Sequence, residues 1–349
     1  MPTDTPKKKK PWLKQQPMMR KVEIALMPAL AGAVYFFGWR TLAVVACVAV
    51  VGAATEYFMS KKRGDTVSEA VFVTSLLLGL SLPPNIPYWQ AGVGAFVAIL
   101  FGKEVFGGFP RNVFNPAIVG RGFLYVCFPT DMTSQFTPVW NGLPGGFLHW
   151  GANKVIEGVD AVSAATPMWS RRDFGFETSL VDLITGNIGQ LFTDADGVQR
   201  ALTAGSVGEV SAILVSIGGI YLLWTKTAQW RLTVATLAGA IISTALFRYV
   251  LGADAVPPVP WSICSGAMLY AAFFMVTDPI TAPKNKSAQW VYGAFIGTMI
   301  VFLRWKAVFA GAVAFAILLG NTVAPSLEMF YKGRAKKQKE KANKQGAAA

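Results

Sequence analysis

Ten apolar runs take up most of this chain, and a water-soluble core does not accommodate that much apolar helix. They fall at about 24–39, 41–59, 67–82, 89–102, 115–128, 206–224, 230–251, 261–277, 289–303 and 307–326. The yardstick is the roughly 30 Å hydrocarbon core of a bilayer, which about 20 helical residues cross; some of the runs are short or broken. The 349 residues are 53% hydrophobic and only 15% charged, with a mean hydropathy of +0.42. That balance belongs to multi-span membrane proteins. The expected fold class is an all-α integral membrane protein of about ten transmembrane helices.

The charges are clustered and test the count. Net charge is +13, but the bases crowd the two ends: Lys7 to Lys10, Lys14, Arg20 and Lys21 at one, Lys332, Arg334, Lys336, Lys337, Lys339, Lys341 and Lys344 at the other. A basic protein can bind nucleic acid, but bases that flank apolar spans follow the positive-inside rule instead. Both termini are then expected in the cytoplasm, which requires an even number of spans. Lys61-Lys62-Arg63, Lys103 with Arg111, Lys226 with Arg231, and Lys284 with Lys286 all fall at loops that ten spans place inside. Arg304 and Lys306, in a very short outer turn, are the exception.

Five domains are expected: a mobile cytoplasmic basic tail at 1–21, a first five-helix half at 22–128, an outer segment at 129–205, a second five-helix half at 206–327, and a basic cytoplasmic tail at 328–349. Segment 129–205 carries eight acids against four bases, which suits an outer face. The five-plus-five division suggests two halves of inverted orientation, as in many transporters. No cleavable signal peptide is expected, since the run from about Ile24 is followed closely by another span. Cys47, Cys127 and Cys264 lie in apolar segments without metal-ligand spacing and read as small buried hydrophobes. One histidine, His149, leaves almost no material for haem or zinc. No nucleotide-binding GxGxxG, phosphate loop, HExxH or GxSxG is present, so electrons or energy must come from another protein.

Three stretches carry chemistry. The first is Asp160-Ala-Val-Ser163-Ala164-Ala165-Thr166-Pro167, a small-residue turn within the longest polar segment. A threonine hydroxyl can form a phosphoester; alternatively it caps a helix. The second is Lys103-Glu104-Val-Phe-Gly107-Gly108-Phe-Pro110-Arg111-Asn112-Val-Phe-Asn115-Pro116-Ala117-Ile-Val-Gly120-Arg121. Gly107 and Gly108 permit close backbone approach. Asn112, Asn115 and Pro116 break a span, which membranes tolerate only inside protein or beside a cavity. The third is Thr277-Asp278-Pro279-Ile280-Thr281-Ala282-Pro283, a broken helix terminus whose acid either binds a cation or caps a segment. Glu69, Glu104, Glu209 and Asp278 are acids at apolar borders and hence candidates for an ion path, the alternative being an interfacial position. The 11 tryptophans read mainly as interfacial belts, Trp169 being the nearest to Thr166.

Ser163-Ala164-Ala165-Thr166, with Asp160 before it and Pro167 after it, resembles the Ser-Gly-Ala-Thr flavinylation motif of a membrane flavoprotein family. That family comprises the D subunit of the Rnf complex and the B subunit of the sodium-pumping NADH:quinone reductase. Ala164 stands where the motif has Gly. The Gly-Gly…Asn-Pro-Ala…Gly-Arg run and the Asp278 stretch are similar to the same family, and the resemblance covers about residues 20 to 327. It implies FMN attached to Thr166 through a phosphoester by a flavin transferase on the outer face, with Ser163 and Asp160 beside it. It further implies a second, non-covalent flavin, riboflavin, near Gly107, Gly108, Asn112, Asn115 and Arg121, and in the quinone reductase a quinone site. The implied partners are other membrane subunits with iron–sulfur or flavin centres, membrane lipid, and Na⁺ or H⁺. The implied location is a bacterial or archaeal plasma membrane. The short stretch before the first span suits the Rnf protein better, with the quinone reductase protein as the alternative. A channel or secondary transporter with no redox role and a structural scaffold are the readings from other classes.

Overall fold

The computed structural model describes residues 12–153, 165–194, 196–307 and 311–346. A short parallel pairing opens it: β1 (Leu13–Lys14) lies beside β2 (Val67–Ser68). Helix α1 (Pro17–Phe37) follows with proline in its first turn, where no amide is needed. Helix α2 (Arg40–Arg63) ends on left-handed Gly64. Next come α3 (Ala70–Leu80) and α4 (Tyr88–Ile99), the latter running on through a π-helical turn at Leu100–Glu104. Helix α5 (Pro116–Cys127) is capped by Asn115. The segment after it holds short elements: α6 (Pro129–Ser134), α7 (Pro167–Phe174), α8 (Leu180–Thr185) and an antiparallel hairpin of β3 (Leu191–Thr193) and β4 (Gln199–Ala201). Helices then resume with α9 (Ala212–Trp224) and α10 (Trp230–Ala245), the latter extended by a second π turn at Leu246–Val250. The chain closes with α11 (Val259–Cys264), α12 (Met268–Tyr270) with a third π turn at Ala271–Met275, α13 (Lys286–Lys306) and α14 (Ala312–Gly346).

Among the described residues, three helical stretches are long and apolar enough to cross a bilayer: Arg40–Arg63, Trp230–Val250 and Ala312–Gln338. Shorter apolar helices lie at Ala70–Leu80, Pro116–Cys127 and Ala212–Trp224. Their outward faces are apolar too. Val50 is 69% exposed, Ile220 60% and Ile242 68%, positions that a hydrocarbon surrounding stabilises and water does not.

The helices meet through small residues, as in membrane bundles. A Cβ at Gly297 on α13 would sit 2.0 Å from the Thr236 carbonyl oxygen on α10, and one at Gly218 on α9 1.9 Å from that of Ala25 on α1. Only glycine permits backbones to approach so closely.

Several boundaries differ from the sequence expectation. The basic tail drawn at 1–21 is shorter, because Leu13–Lys14 pairs with β2 and α1 begins at Pro17. The run 206–224 is helical only from Ala212. Residues 206–210 before it form a turn, closed by the Glu209 amide on the Ser206 carbonyl at 3.1 Å, with the Val207 and Gly208 amides donating to Leu82 and Leu80 carbonyls. The run 261–277 breaks at Ser265–Ala267, where Ser265 is extended and Gly266 has φ +56°. Non-helical backbone of this kind within an apolar bundle belongs beside a cavity. The tail drawn from 328 is a continuous helical extension of α14.

Segment 129–205 folds over one end of the bundle. The Trp39 and Arg40 amides donate to the His149 and Trp150 carbonyls at 3.1 and 2.6 Å. The Arg40 guanidinium donates to carbonyls of Pro84, Asn85 and Ile86. The basic ends of α1 and α2, with Glu69 and Glu104, lie at the opposite end.

Candidate cofactor cavity

Thr166 is held from both sides. Before it, Ala165 bridges to Leu202: its amide donates to the Ala201 carbonyl at 3.0 Å, and the Thr203 amide donates back at 2.9 Å. After it, α7 begins, with Pro167 in the first helical position and the Ser170 amide closing the first turn on the Thr166 carbonyl at 2.7 Å. Thr166 is therefore the N-cap residue, with extended backbone (φ −70°, ψ 160°), yet its side chain makes no capping hydrogen bond. The helix-cap alternative accounts for the position of Thr166 but not for its side chain, which makes no cap, and Thr166 lines a cavity. Asp160 and Ser163 lie outside the described residues.

That cavity has a volume of about 390 Å³, within the roughly 300–1,000 Å³ typical of cofactor sites. Thr166 and α7 form one wall, α5 supplies Arg121 and Tyr125, and the turn before α9 supplies Ser206 and Glu209. The break before α12 and the end of α13 supply Gly266 and Arg304. Trp169, Trp261 and Phe136 add flat apolar surface. The donor set suits a phosphorylated aromatic ligand. A helix N-terminus and arginines favour a phosphate, and aromatic walls favour a ring. FMN therefore fits the residues present.

Charge is concentrated here, buried at Arg121 and Glu209 and open to solvent at α7. Arg121 Nη1 donates to Glu209 Oε1 at 2.5 Å and Nη2 to Ser206 Oγ at 3.0 Å, all three residues being buried. Arg171 donates to the Asp254 and Ala255 carbonyls and lies 3.3 Å from Glu177. Arg172 pairs with Asp173 at 2.6 Å, which holds the Asp173 carboxyl below its usual range.

The second stretch does not stay together. Arg121 is six residues beyond Asn115, about 9 Å of helical rise, and α5 carries it into the Thr166 cavity. Asn115 and Asn112 instead line a cavity of about 70 Å³ near the other end, with Asp278 and Lys103. Asn115 knits elements together: its side chain caps Ala117 N at 3.1 Å and donates to the Met275 carbonyl at 3.3 Å, and its amide donates to Asn321 Oδ1 at 3.0 Å. Gly107 and Gly108 line neither cavity. They turn the chain off the first π turn with φ +97° and +80°, and their amides donate to the Glu104 and Lys103 carbonyls.

The acids separate as well. Glu209 lies in the larger cavity and Asp278 lines the smaller, where its carboxylate accepts from the Ile280 amide at 3.0 Å. Glu69 is buried and accepts from the Gln16 amide and, at 2.7 Å, from Arg20 Nε. Glu104 is buried 2.5 Å from Arg63 Nη2. Neither Glu69 nor Glu104 lines either cavity.

Sequence reasoning missed two groups. Glu56 and Lys103 form a buried pair at 2.6 Å, with Ser68 Oγ donating to Glu56 at 2.7 Å and Lys103 Nζ donating to Ser68 Oγ at 2.6 Å. An acid inside the second apolar run was the available signal. Arg304 was set aside as an outer-turn exception, although an arginine at the end of an apolar span is the same kind of signal.

Comparison with known proteins adds a family. The sequence model of the NQR2, RnfD, RnfE family matches residues 9–337. The chain is 32% identical over 308 residues to the B subunit of the Na(+)-translocating NADH-quinone reductase of Azotobacter vinelandii, covering 86% of this chain and 67% of that protein. It is 33% identical over 337 residues to the D subunit of the ion-translocating oxidoreductase complex of Shewanella amazonensis, covering 91% and 92%. It is 32% identical over 316 residues to the D subunit of the proton-translocating ferredoxin:NAD(+) oxidoreductase complex of Clostridium ljungdahlii, covering 90% and 89%.

Proposed function

This chain belongs to the NQR2, RnfD, RnfE family, and from that premise we propose that it is the membrane flavoprotein subunit of an Rnf-type ion-translocating oxidoreductase complex, with FMN attached to Thr166. The observation that carries the reading is Thr166: its side chain makes no capping bond, it stands at the start of α7, and it lines a cavity of about 390 Å³ shared with arginines and aromatic rings.

FMN, when bound, supplies one- and two-electron chemistry. The chain's own residues hold and orient it. Thr166 offers the oxygen for the phosphoester. The Met168 and Trp169 amides in the first turn of α7, after Pro167 which has none, would hold the phosphate, aided by the positive end of the helix dipole. Trp169, Trp261 and Tyr125 bound the ring. The Arg121–Glu209 pair fixes the wall between α5 and the turn before α9.

The proposed topology is ten spans with both termini in the cytoplasm and segment 129–205 on the outer face. The element order supports it, as does a repeated packing pattern: α2 packs on α4 and α4 on α5, as α10 packs on α13 and α13 on α14. That repetition is what two five-helix halves require. A flavin near one face is several-fold shorter than a roughly 30 Å apolar core, so a second carrier is part of the proposal. Riboflavin is the expectation, but the 70 Å³ cavity beside Asn112 and Asn115 is far smaller than a flavin site. Electrons would come from iron–sulfur or flavin centres of partner subunits, and Na⁺ or H⁺ would be the ion moved. One charge moved against 100 mV costs about 2.3 kcal/mol, within reach of ordinary redox steps.

The second reading is the B subunit of a Na⁺-translocating NADH:quinone reductase, favoured by the 32% identity to that protein over 308 residues. The donor oxidised by the assembled complex, ferredoxin or NADH, separates the two.

The test of the FMN proposal is in-gel flavin fluorescence of the fully denatured protein, co-expressed with a flavin transferase. A fluorescent band is expected for the wild type and none for Thr166→Ala. A dark wild-type band, with the transferase active on a control protein, would sink the proposal and leave a non-redox transporter or a scaffold.

A further inference from the structure

Four arginines line the 390 Å³ cavity: Arg121, Arg171, Arg172 and Arg304. Three lie within 4 Å of a carboxylate, Arg121 with Glu209, Arg171 with Glu177 and Arg172 with Asp173. Arg304 is the fourth, and no carboxylate lies that close to it among the described residues. Its guanidinium is held by main-chain carbonyls instead. Nη1 donates to Ser262 O at 3.1 Å and Nη2 to Ser265 O at 3.2 Å, at the break between α11 and α12. A Cβ at Gly266, the cavity-lining residue of that break, would stand 3.4 Å from Nη2, so the glycine keeps the approach to the guanidinium open.

Arg304 is half-buried, and a partly desolvated cation without a contacting counter-charge is costly. Two carbonyls fix the direction of the guanidinium, and they use only two of its five donors. The arrangement suits a cation whose anion comes and goes. The phosphate does not need it, being served by Thr166 and the first turn of α7, on a different wall.

We propose that Arg304 stabilises the negative charge that the ring of a Thr166-linked flavin acquires on reduction, and so sets the flavin's potential. This rests on the FMN proposal above. The balance is simple. The oxidised ring is neutral; two electrons from a partner subunit's redox centre and one proton from solvent leave it with one negative charge. Arg304 gains and loses nothing. Its attraction strengthens only in the reduced state, which shifts the equilibrium toward reduction. Glu209, paired with Arg121 on the same cavity, opposes that shift.

The experiment uses full-length detergent-solubilised protein co-expressed with a flavin transferase. In-gel fluorescence reads covalent loading, and a spectroelectrochemical titration reads the midpoint potential of the attached flavin. Arg304→Gln is expected to load normally and to lower the reduction equilibrium about tenfold or more, about 30 mV for a two-electron couple. Arg304→Lys, which keeps the charge, is expected to restore most of it, and Glu209→Gln to move the potential the opposite way. Loaded Arg304→Gln with the wild-type potential overturns the proposal. If Arg304→Gln does not insert, an unchanged or lowered potential in Glu209→Gln overturns it. A wild type without covalent flavin overturns the FMN proposal and this one together, whereas loss of loading in Arg304→Gln alone, with the wild type and Arg304→Lys loaded, assigns Arg304 to the phosphate and overturns only this one.

Discussion

Arg121 and Glu209 are 88 residues apart in sequence, and their side chains meet at 2.5 Å on the wall of the cavity that Thr166 lines. One comes from the middle of α5, the other from the turn that delays the start of α9. Both are buried, so each charge depends on the other for the solvation it has lost.

Removing one partner is therefore expected to be far worse than removing both. Arg121→Met or Glu209→Leu alone should cost about 3–5 kcal/mol. The double variant should recover most of that, a coupling visible in thermal melts of the solubilised protein. Additive losses would show that the pair is not desolvated as described.

Asn115 is expected to behave as a structural joint. Asn115→Ala removes the cap on α5, worth about 1 kcal/mol, and the bond to the Met275 carbonyl. Asn115→Asp keeps the cap and loses only that donor, so its melting temperature should fall less. Covalent flavin fluorescence should be unchanged in both, because Asn115 lines the other cavity. Loss of fluorescence in Asn115→Asp would refute the separation of the two sites.

The contact between α10 and α13 sets a third expectation. At Gly297 an added Cβ would lie 2.0 Å from the Thr236 carbonyl oxygen, so Gly297→Ala must push the helices apart, at about 1–3 kcal/mol. Gly333, near the exposed end of α14, has nothing within 4 Å of such an atom. Gly333→Ala should be neutral or stabilising by up to about 1 kcal/mol. Melting temperatures of the two variants read the difference directly.

The β3–β4 hairpin should respond to acid. The Arg200 guanidinium, 2.6 Å from Asp194, holds that carboxyl below its usual range, helped by the Val198 and Asp196 amides. A depressed pKa contributes stability that is fully present above the ordinary aspartate value of about 3.9 and is lost as pH falls through the lower folded value. Amide exchange at Val198 should accelerate in that acid window and stay slow above it. Asp194→Asn should show no such pH step.

Much of this was legible beforehand. Hydropathy along each run announced a membrane protein, and the family resemblance around Thr166, Asn115 and Asp278 was borne out by the match over residues 9–337. The phosphoester on Thr166 remains a proposal, but its physical setting is local. A small residue, a threonine and a proline suffice to start α7 with an uncapped hydroxyl. The second motif shows where such reading stops. Gly107 and Asn115 stay near one end, while Arg121, on the same stretch of chain, serves the opposite cavity, because a helix separates in space what the sequence keeps adjacent.

The sequence by itself determined the class of protein, the rough order of its apolar helices and the residue offered for attachment. The first two follow from composition and spacing; the third follows from the resemblance of Ser163-Ala164-Ala165-Thr166 to a flavinylation motif. The tertiary structure alone decided the partners of the charges: Arg121 with Glu209, Glu56 with Lys103, and Arg304 with two carbonyls and no carboxylate within 4 Å among the described residues. Those pairings depend on how helices rotate and pack against one another. A charge inside an apolar bundle reveals that it must have a partner, and only the packing reveals which.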